Sequence, residues 1–336
     1  NISGEREKNY KLLKLKRCQN SYLKILISIN FGWIYKIYFM KIYDCFMFFD
    51  EEMLLDLRLN IMDKYVDKFV ITEATYTHSG RSKKLIFDIN KFSKFKDKII
   101  YNVVDKQPTN IEEINNSDDI ISKDRKLIHN SIKRENYQRD MANKFLKDAQ
   151  SEDIIIINDI DEIPNLEKIN FNNINNKIII FKQKIFYYKF NLLYENLTWH
   201  GSRACKKKFF KSPQWLRNAK YKKYPLWRLD IILSNKKYNN IRYVESGGWH
   251  FTNIKTPENL ERKFLNFLHH QDFEASGLKL KNIKEMVENK KIIYDLNVDQ
   301  KDYKWKGTKS LNKVPLSFMP NYLSSNYEKY SNWLEI

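Results

Sequence analysis

The chain is poor in the residues that punctuate or staple small folds: three cysteines, eight glycines and seven prolines among 336 residues. Cys18, Cys45 and Cys205 are odd in number and widely spaced, so they form neither a disulfide framework nor a zinc pattern, and a reducing compartment is expected. So few glycines and prolines exclude collagen-like and low-complexity classes. Long apolar runs are also missing. The longest, Ile25–Tyr35, has eleven residues between Lys24 and Lys36, whereas a spanning helix needs about 20. It suits a buried or membrane-surface helix better than a span, and residues 22–40 are a candidate peripheral membrane contact. The sequence contains no GxxxxGK[ST] loop, GxGxxG fingerprint, HExxH or GxSxG elbow. A P-loop ATPase, a Rossmann dehydrogenase, a zincin and an α/β-hydrolase are thereby excluded.

Hydrophobic residues make up 42% and aromatics 15%, enough for a large core and too much for a disordered chain. The net charge of +19 points to a polyanionic partner: nucleic acid, an anionic membrane or a phosphate-bearing substrate. Lys, Asn, Ile, Phe and Tyr are abundant together, as AT-rich coding produces, so much of this charge is equally expected on a solvated surface.

Residues 1–40 read as a basic leader, and from Lys41 strands alternate with helices. Apolar runs at Lys41–Phe49, Asp67–Ala74, Lys98–Val104 and Ile154–Ile157 predict strands, the first almost continuous as expected of a strand covered on both faces. Further strands are expected within 177–190 and near Tyr224–Ile232. Leu54, Leu57, Ile61 and Tyr65 recur at helical spacing behind Glu51 and Glu52, acids favourable at a helix start. Helices are also predicted over Ile128–Ala149 and over Pro257–Phe273, the latter capped by Thr256. Pro108–Asp124 reads as loop. The pattern predicts an α/β fold with a mostly parallel sheet flanked by helices.

Four segments carry chemistry. Asp159 and Asp161 follow the isoleucine run at the carboxyl end of a strand, where open parallel sheets bind ligands. Residues two apart on an extended chain point the same way, so both carboxylates can meet one hard cation such as Mn²⁺ or Mg²⁺. Gly247-Gly248-Trp249-His250 supplies a backbone able to pass close to a neighbour and an imidazole that can complete the metal site. Arg134, Gln138 and Arg139 share a helical quadrant, and with Arg203 and Lys206–Lys208 they can line a phosphate site. Glu73 closes a strand, where a carboxylate can accept hydrogen bonds from a ribose or base.

Together these segments resemble glycosyltransferase family 17. The resemblance runs through IYDCFMFFDEEMLLDLRL (Ile42–Leu59), VDKFVITEATYTHSGRSKKL (Val66–Leu85), RENYQRD (Arg134–Asp140), IIINDIDEIP (Ile155–Pro164), GGWHFTNIKTPE (Gly247–Glu258) and SNYEKYSNWLE (Ser325–Glu335). It implies a GT-A-like Rossmann-type fold over residues 41–336, with a nucleotide-binding half (41–165) and an acceptor-side half (166–336). It further implies metal-dependent, inverting transfer of a sugar, N-acetylglucosamine from UDP-N-acetylglucosamine, to a hydroxyl of a glycan such as an N-glycan. The implied partners are therefore a nucleotide-sugar donor and a glycan acceptor, with no specific nucleic acid. Asp159, Asp161 and His250 would hold Mn²⁺ or Mg²⁺, and Glu73, Arg134, Arg139, Asp159 and Arg203 would bind the donor. Glu245 and Glu258 are the candidate general bases, Glu258 being equally placed to cap its helix.

Two other classes compete on the residues alone. A metal-dependent nuclease or phosphodiesterase would suit paired carboxylates and positive charge, and would need Asp140 or Glu162 to converge on the same metals. A non-enzymatic lectin-like or membrane-surface protein would be indifferent to loss of Asp161.

Overall fold

The structure is a computed structural model that describes residues 39–225, 227–231, 233–266, 270–295, 305, 307 and 309–335. The basic leader, except for its last two residues, and the apolar segment Ile25–Tyr35 lie outside the described residues. No helix among the described residues is long and apolar enough to cross a membrane.

Two sheets organise the chain. The first contains β1 (Ile42–Phe48), β2 (Lys68–Ala74), β3 (Ile99–Val104) and β4 (Ile154–Ile157), all mutually parallel in the order β3-β2-β1-β4. The second starts with the short β5 (Glu162–Pro164). Chain 177–190, read as strand, is two strands in different sheets: β6 (Ile178–Phe181) joins the first and β7 (Gln183–Tyr187) the second. Then come β8 (Leu192–Trp199), β9 (Arg203–Lys206), β10 (Ile241–Val244), β11 (Gly248–Thr252) and β12 (Asn312–Lys313). The first sheet runs β10-β6-β9-β4-β1-β2-β3, and only β9 points against the other six strands. The second, β12-β8-β7-β11-β5, is antiparallel except for the pair β7–β11.

Alternation along the first sheet's strands sends side chains to two cores. Ile42, Phe46, Phe69, Ile71, Ile154 and Ile156 face one way. There α1 (Glu52–Met62) covers them with Leu54, Leu55, Leu57, Leu59 and Met62. Tyr43, Cys45, Val70, Ile155 and Ile157 face the other way, under Ala142, Leu146 and Leu216. Burial on both sides explains why these strands read as continuous apolar runs rather than alternating ones. Cys45 and Cys205 are free buried thiols, and burial pushes both upward from their ordinary pKa.

The helices differ from expectation at their boundaries. Asp119 accepts from the Ser122 N–H and starts α2 at Ile120–Asp140, eight residues earlier than the apolar spacing suggested, within the stretch read as loop. The chain then tightens into a 3₁₀ segment over Met141–Leu146. Ser212 caps α3 (Pro213–Asn218). Thr256 caps α4 as expected, but α4 is Pro257–Phe264 and a separate α5 covers His270–Ser276. Among the described residues near Tyr224–Ile232 there is no strand; they hold a 3₁₀ turn at Leu229–Ile231. The aromatic C-terminal motif is a strap over α1: the Tyr330 hydroxyl donates to Asp56 at 2.9 Å, and Phe190 N–H reaches the Trp333 carbonyl at 2.8 Å.

Candidate active site

The Asp159–Asp161 turn is where the chain leaves β4 in the first sheet and enters β5 in the second. It therefore sits at the carboxyl ends of β1, β2 and β4, facing a cleft of about 400 Å³. Phe48 at the end of β1 with Phe49 and Glu51 after it, and Ala74 at the end of β2 with Tyr76, Thr77 and His78 after it, form one wall. Glu135 and Gln138 of α2, Arg217 of α3, Trp199 of β8 and His250 of β11 complete it.

Arg58 fixes the turn from behind. Fully buried on α1, it donates from Nε and Nη2 to the two oxygens of Asp44 on β1, at 2.8 and 2.6 Å. Its Nη1 donates to the carbonyl of Glu162 at 2.7 Å and to those of Asp159 and Ile160 at 3.3 Å. Asn158 also donates to Asp44, at 2.6 Å. One buried ion pair thus binds three carbonyls where the chain passes from β4 to β5.

A second arginine holds the carboxylates. Arg217 donates from Nη2 to Asp159 at 2.6 Å and pairs with both oxygens of Glu162 at 2.7 and 2.8 Å. The other Asp159 oxygen takes Arg139 Nη2 at 3.1 Å, a group that also pairs with Glu135 at 2.7 Å. Burial alone would raise the Asp159 carboxyl, but Arg217 and Arg139 overcome it and hold the group well below the usual carboxylate range. Arg203 lies buried beside them with its Nη1 on the Gly201 carbonyl at 3.1 Å; burial, then the Arg217 charge, push it down to about 9.

Asp161 lines the same cleft. Its carboxylate lies 3.6 Å from His250 Nε2, beyond hydrogen-bond length, and among the described residues the buried His250 Nδ1 has no hydrogen-bond partner. Burial raises the Asp161 carboxyl less than His250 and Lys263 lower it, so it is net depressed. His250 stacks on Trp199 at 4.6 Å, and Trp199 Nε1 donates to Glu162 at 2.6 Å. His250 and Glu162 are register partners across β11 and β5. The glycine pair before His250 has a local cause: Gly248 has φ +132°, and a Cβ there would stand 2.1 Å from the Ile163 carbonyl.

The family model for glycosyltransferase family 17 matches residues 16–335. The chain belongs to glycosyltransferase family 17. It is accordingly a glycosyltransferase, and the cleft is the candidate active site of this family 17 enzyme. No curated protein matches the chain.

Within this family 17 chain the residues singled out from sequence fall into groups. Asp159, Asp161, His250 and Arg139 meet at the turn, with Arg203 packed behind it. Among the described residues no three His, Cys, Asp or Glu side chains converge as a metal cage, and both oxygens of Asp159 are engaged by arginines. Glu73 is fully buried at the edge of the cleft, where it accepts from the Ile86 and Phe87 N–H groups and the Tyr101 hydroxyl and pairs with Lys83. Arg134 braces the turn after β2 through Gln107 and the His78 carbonyl, packing where a Cβ on Gly80 would stand. Glu245 is 72% exposed and pairs with Lys182, and Glu258, 55% exposed, pairs with Lys284; neither lines the cleft. Glu258 is the second residue of α4, and the cap bond goes from Asn259 N–H to Thr256. Lys206 and Lys208 pair with Glu152, at the opposite end of β4. The carboxylates a nuclease would need are occupied too: Glu162 by Arg217 and Trp199, Asp140 by the Gln214 N–H at 2.7 Å.

Sequence reasoning missed Arg58, Trp199 and Arg217. Arg58 carries one signal, a charge inside an otherwise apolar helical stripe. Arg217 carries none, because its partners lie 55 and 58 residues away.

Proposed function

We propose that the enzyme transfers N-acetylglucosamine from UDP-N-acetylglucosamine to a hydroxyl of a glycan acceptor, with inversion and with Mn²⁺ or Mg²⁺. The observation that carries this reading is the Asp159–Asp161 turn, held at the carboxyl ends of three parallel strands and opening on the cleft. The strand order β3-β2-β1-β4, with the reversed β9 beside β4, supports a GT-A arrangement. The division into a nucleotide-binding half and an acceptor-side half is part of the same reading, although strands from both halves share the first sheet.

The donor set suits a hard divalent cation held by two protein groups. Asp161, with a carboxylate, and His250, with an imidazole 3.6 Å away, are the side chains that would hold it. When bound, the cation supplies Lewis-acid neutralisation of the leaving diphosphate. Asp159, locked between Arg139 and Arg217, presents a fixed carboxylate edge to the donor, and the arginines keep it ionised. Phe49 and Tyr76 offer apolar faces for the base, while Lys263 brings positive charge toward the phosphates. Displacement at the anomeric carbon needs a carboxylate to take the acceptor proton. Among the described cleft residues Glu51 and Glu135 are available in place of Glu245 and Glu258. Glu51 has the smaller commitment, accepting only from the Phe49 and Asp50 N–H groups at 3.1 Å and lying 4.0 Å from Lys255.

The test is incubation with UDP-N-acetylglucosamine, an N-glycan acceptor and Mn²⁺, followed by proton NMR of the product. A β-linked N-acetylglucosamine with release of UDP is expected. An α-linked product would contradict the inverting mechanism, and transfer unaffected by chelator would contradict the metal.

A further inference from the structure

We propose that the loop between Lys220 and Lys236 docks the protein on an anionic lipid surface. Isolated apolar residues on a surface need no explanation. Here three large ones fall within seven positions: Trp227 is 78% exposed, Leu229 74% and Leu233 88%.

The loop is a closed excursion rather than a frayed strand. At its neck the Lys220 N–H donates to the Lys236 carbonyl at 2.7 Å. Trp215 Nε1 and the Tyr238 hydroxyl both donate to the Asn235 carbonyl, at 2.9 and 2.7 Å. Ile231 turns inward and is buried, which anchors the loop while its neighbours project.

Charge selects the partner. Lys220, Lys222, Lys223 and Lys236 are exposed on this loop. Asp230, the one acid between residues 219 and 238, is neutralised by a bidentate Arg228 at 2.8 and 2.7 Å and by Lys237 at 2.8 Å. Tryptophan and leucine beside exposed lysines match the boundary of an anionic bilayer, where the ring and aliphatic groups enter the interface and the ammonium groups meet headgroups. The neck adjoins the cleft. Tyr221 stacks on His200 at 4.4 Å, and the neighbouring Gly201 carbonyl accepts from Arg217 at 2.7 Å. A docked loop therefore holds the cleft close to the bilayer, within reach of acceptors displayed there. The inference does not depend on the identity of the donor sugar.

The full chain is sedimented with sucrose-loaded vesicles of phosphatidylcholine and phosphatidylserine, and with vesicles of phosphatidylcholine alone. The wild type is expected to pellet with the anionic vesicles only, and less as salt rises. W227S/L229S/L233S should weaken binding about tenfold or more, and K222Q/K223Q about fivefold per lysine. Both variants should keep the wild-type melting temperature, since the replaced side chains are exposed. Three outcomes overturn the proposal: no binding by the wild type, equal binding by the triple variant, or a loss traced to self-association of the wild type without vesicles.

Discussion

Arg58 and Asp44 form a doubly hydrogen-bonded ion pair in which neither side chain is exposed, and the third nitrogen of Arg58 holds the backbone of the acidic turn. Removing one partner strands the other charge in the core. R58M is expected to cost about 3–5 kcal/mol in urea unfolding, while D44N/R58M recovers part of the loss because the uncompensated charge is gone. Equal stability of the two variants would mean that the pair contributes only packing.

Gly201 tests the geometry around Glu162. A Cβ there would lie 2.0 Å from Glu162 Oε1 and 2.2 Å from Trp199 Nε1. G201A should destabilise by about 1–3 kcal/mol through overpacking and displace Glu162 from Arg217. A drop in kcat on the order of 10²-fold is expected, the scale of a lost preorganised group. Unchanged kcat would show that the Glu162–Arg217–Asp159 chain is not needed for turnover.

Asp159 gives a pH signature. Its folded pKa lies below the unfolded value of about 4. Its stabilising contribution is therefore complete above pH about 4 and is lost as pH falls through the folded value. Measured against D159N, the wild type should lose more stability as pH drops below about 4. The difference between the two should be flat from pH 5 to 8. Parallel curves below pH 4 would show that the arginine bracket does not hold the carboxyl down.

The inner strands β1, β2 and β4 were legible because double burial leaves its trace in an unbroken apolar run: Ile154, Ile155, Ile156 and Ile157 are all fully buried, and their run pointed straight to the turn that follows; β9 and β10, four residues each with charges among them, went unread. The turn's acids were legible for the same reason. The wall around it was legible at His250 but not at Trp199 or Arg217: Trp199 comes from β8 in the second sheet and Arg217 from α3, packed on the first, so neither is marked by its neighbours in sequence. The buried face of α2 misled in another way. Asn130, Ser131, Arg134, Gln138 and Arg139 are its buried residues, so apolar spacing could not mark where it begins. Glu245 and Glu258 had the right charge for a base, but proximity in sequence to a motif does not say which way a side chain points, and both pair with surface lysines.

His250 separates metal binding from packing. H250A should weaken Mn²⁺ binding roughly tenfold or more by titration calorimetry while sparing most of the fold; H250F, which keeps the stack on Trp199, should lose the metal equally and melt closer to the wild type. Wild-type Mn²⁺ affinity in H250F would return the imidazole to a packing role.

The most direct test of the central claim is a melting curve with UDP-N-acetylglucosamine, with and without Mn²⁺, for the wild type and D161N. A ligand that binds only the native state raises its melting temperature. The account predicts an upward shift that requires Mn²⁺ in the wild type and is absent in D161N. A shift that appears equally without the metal, or that survives in D161N, would contradict it.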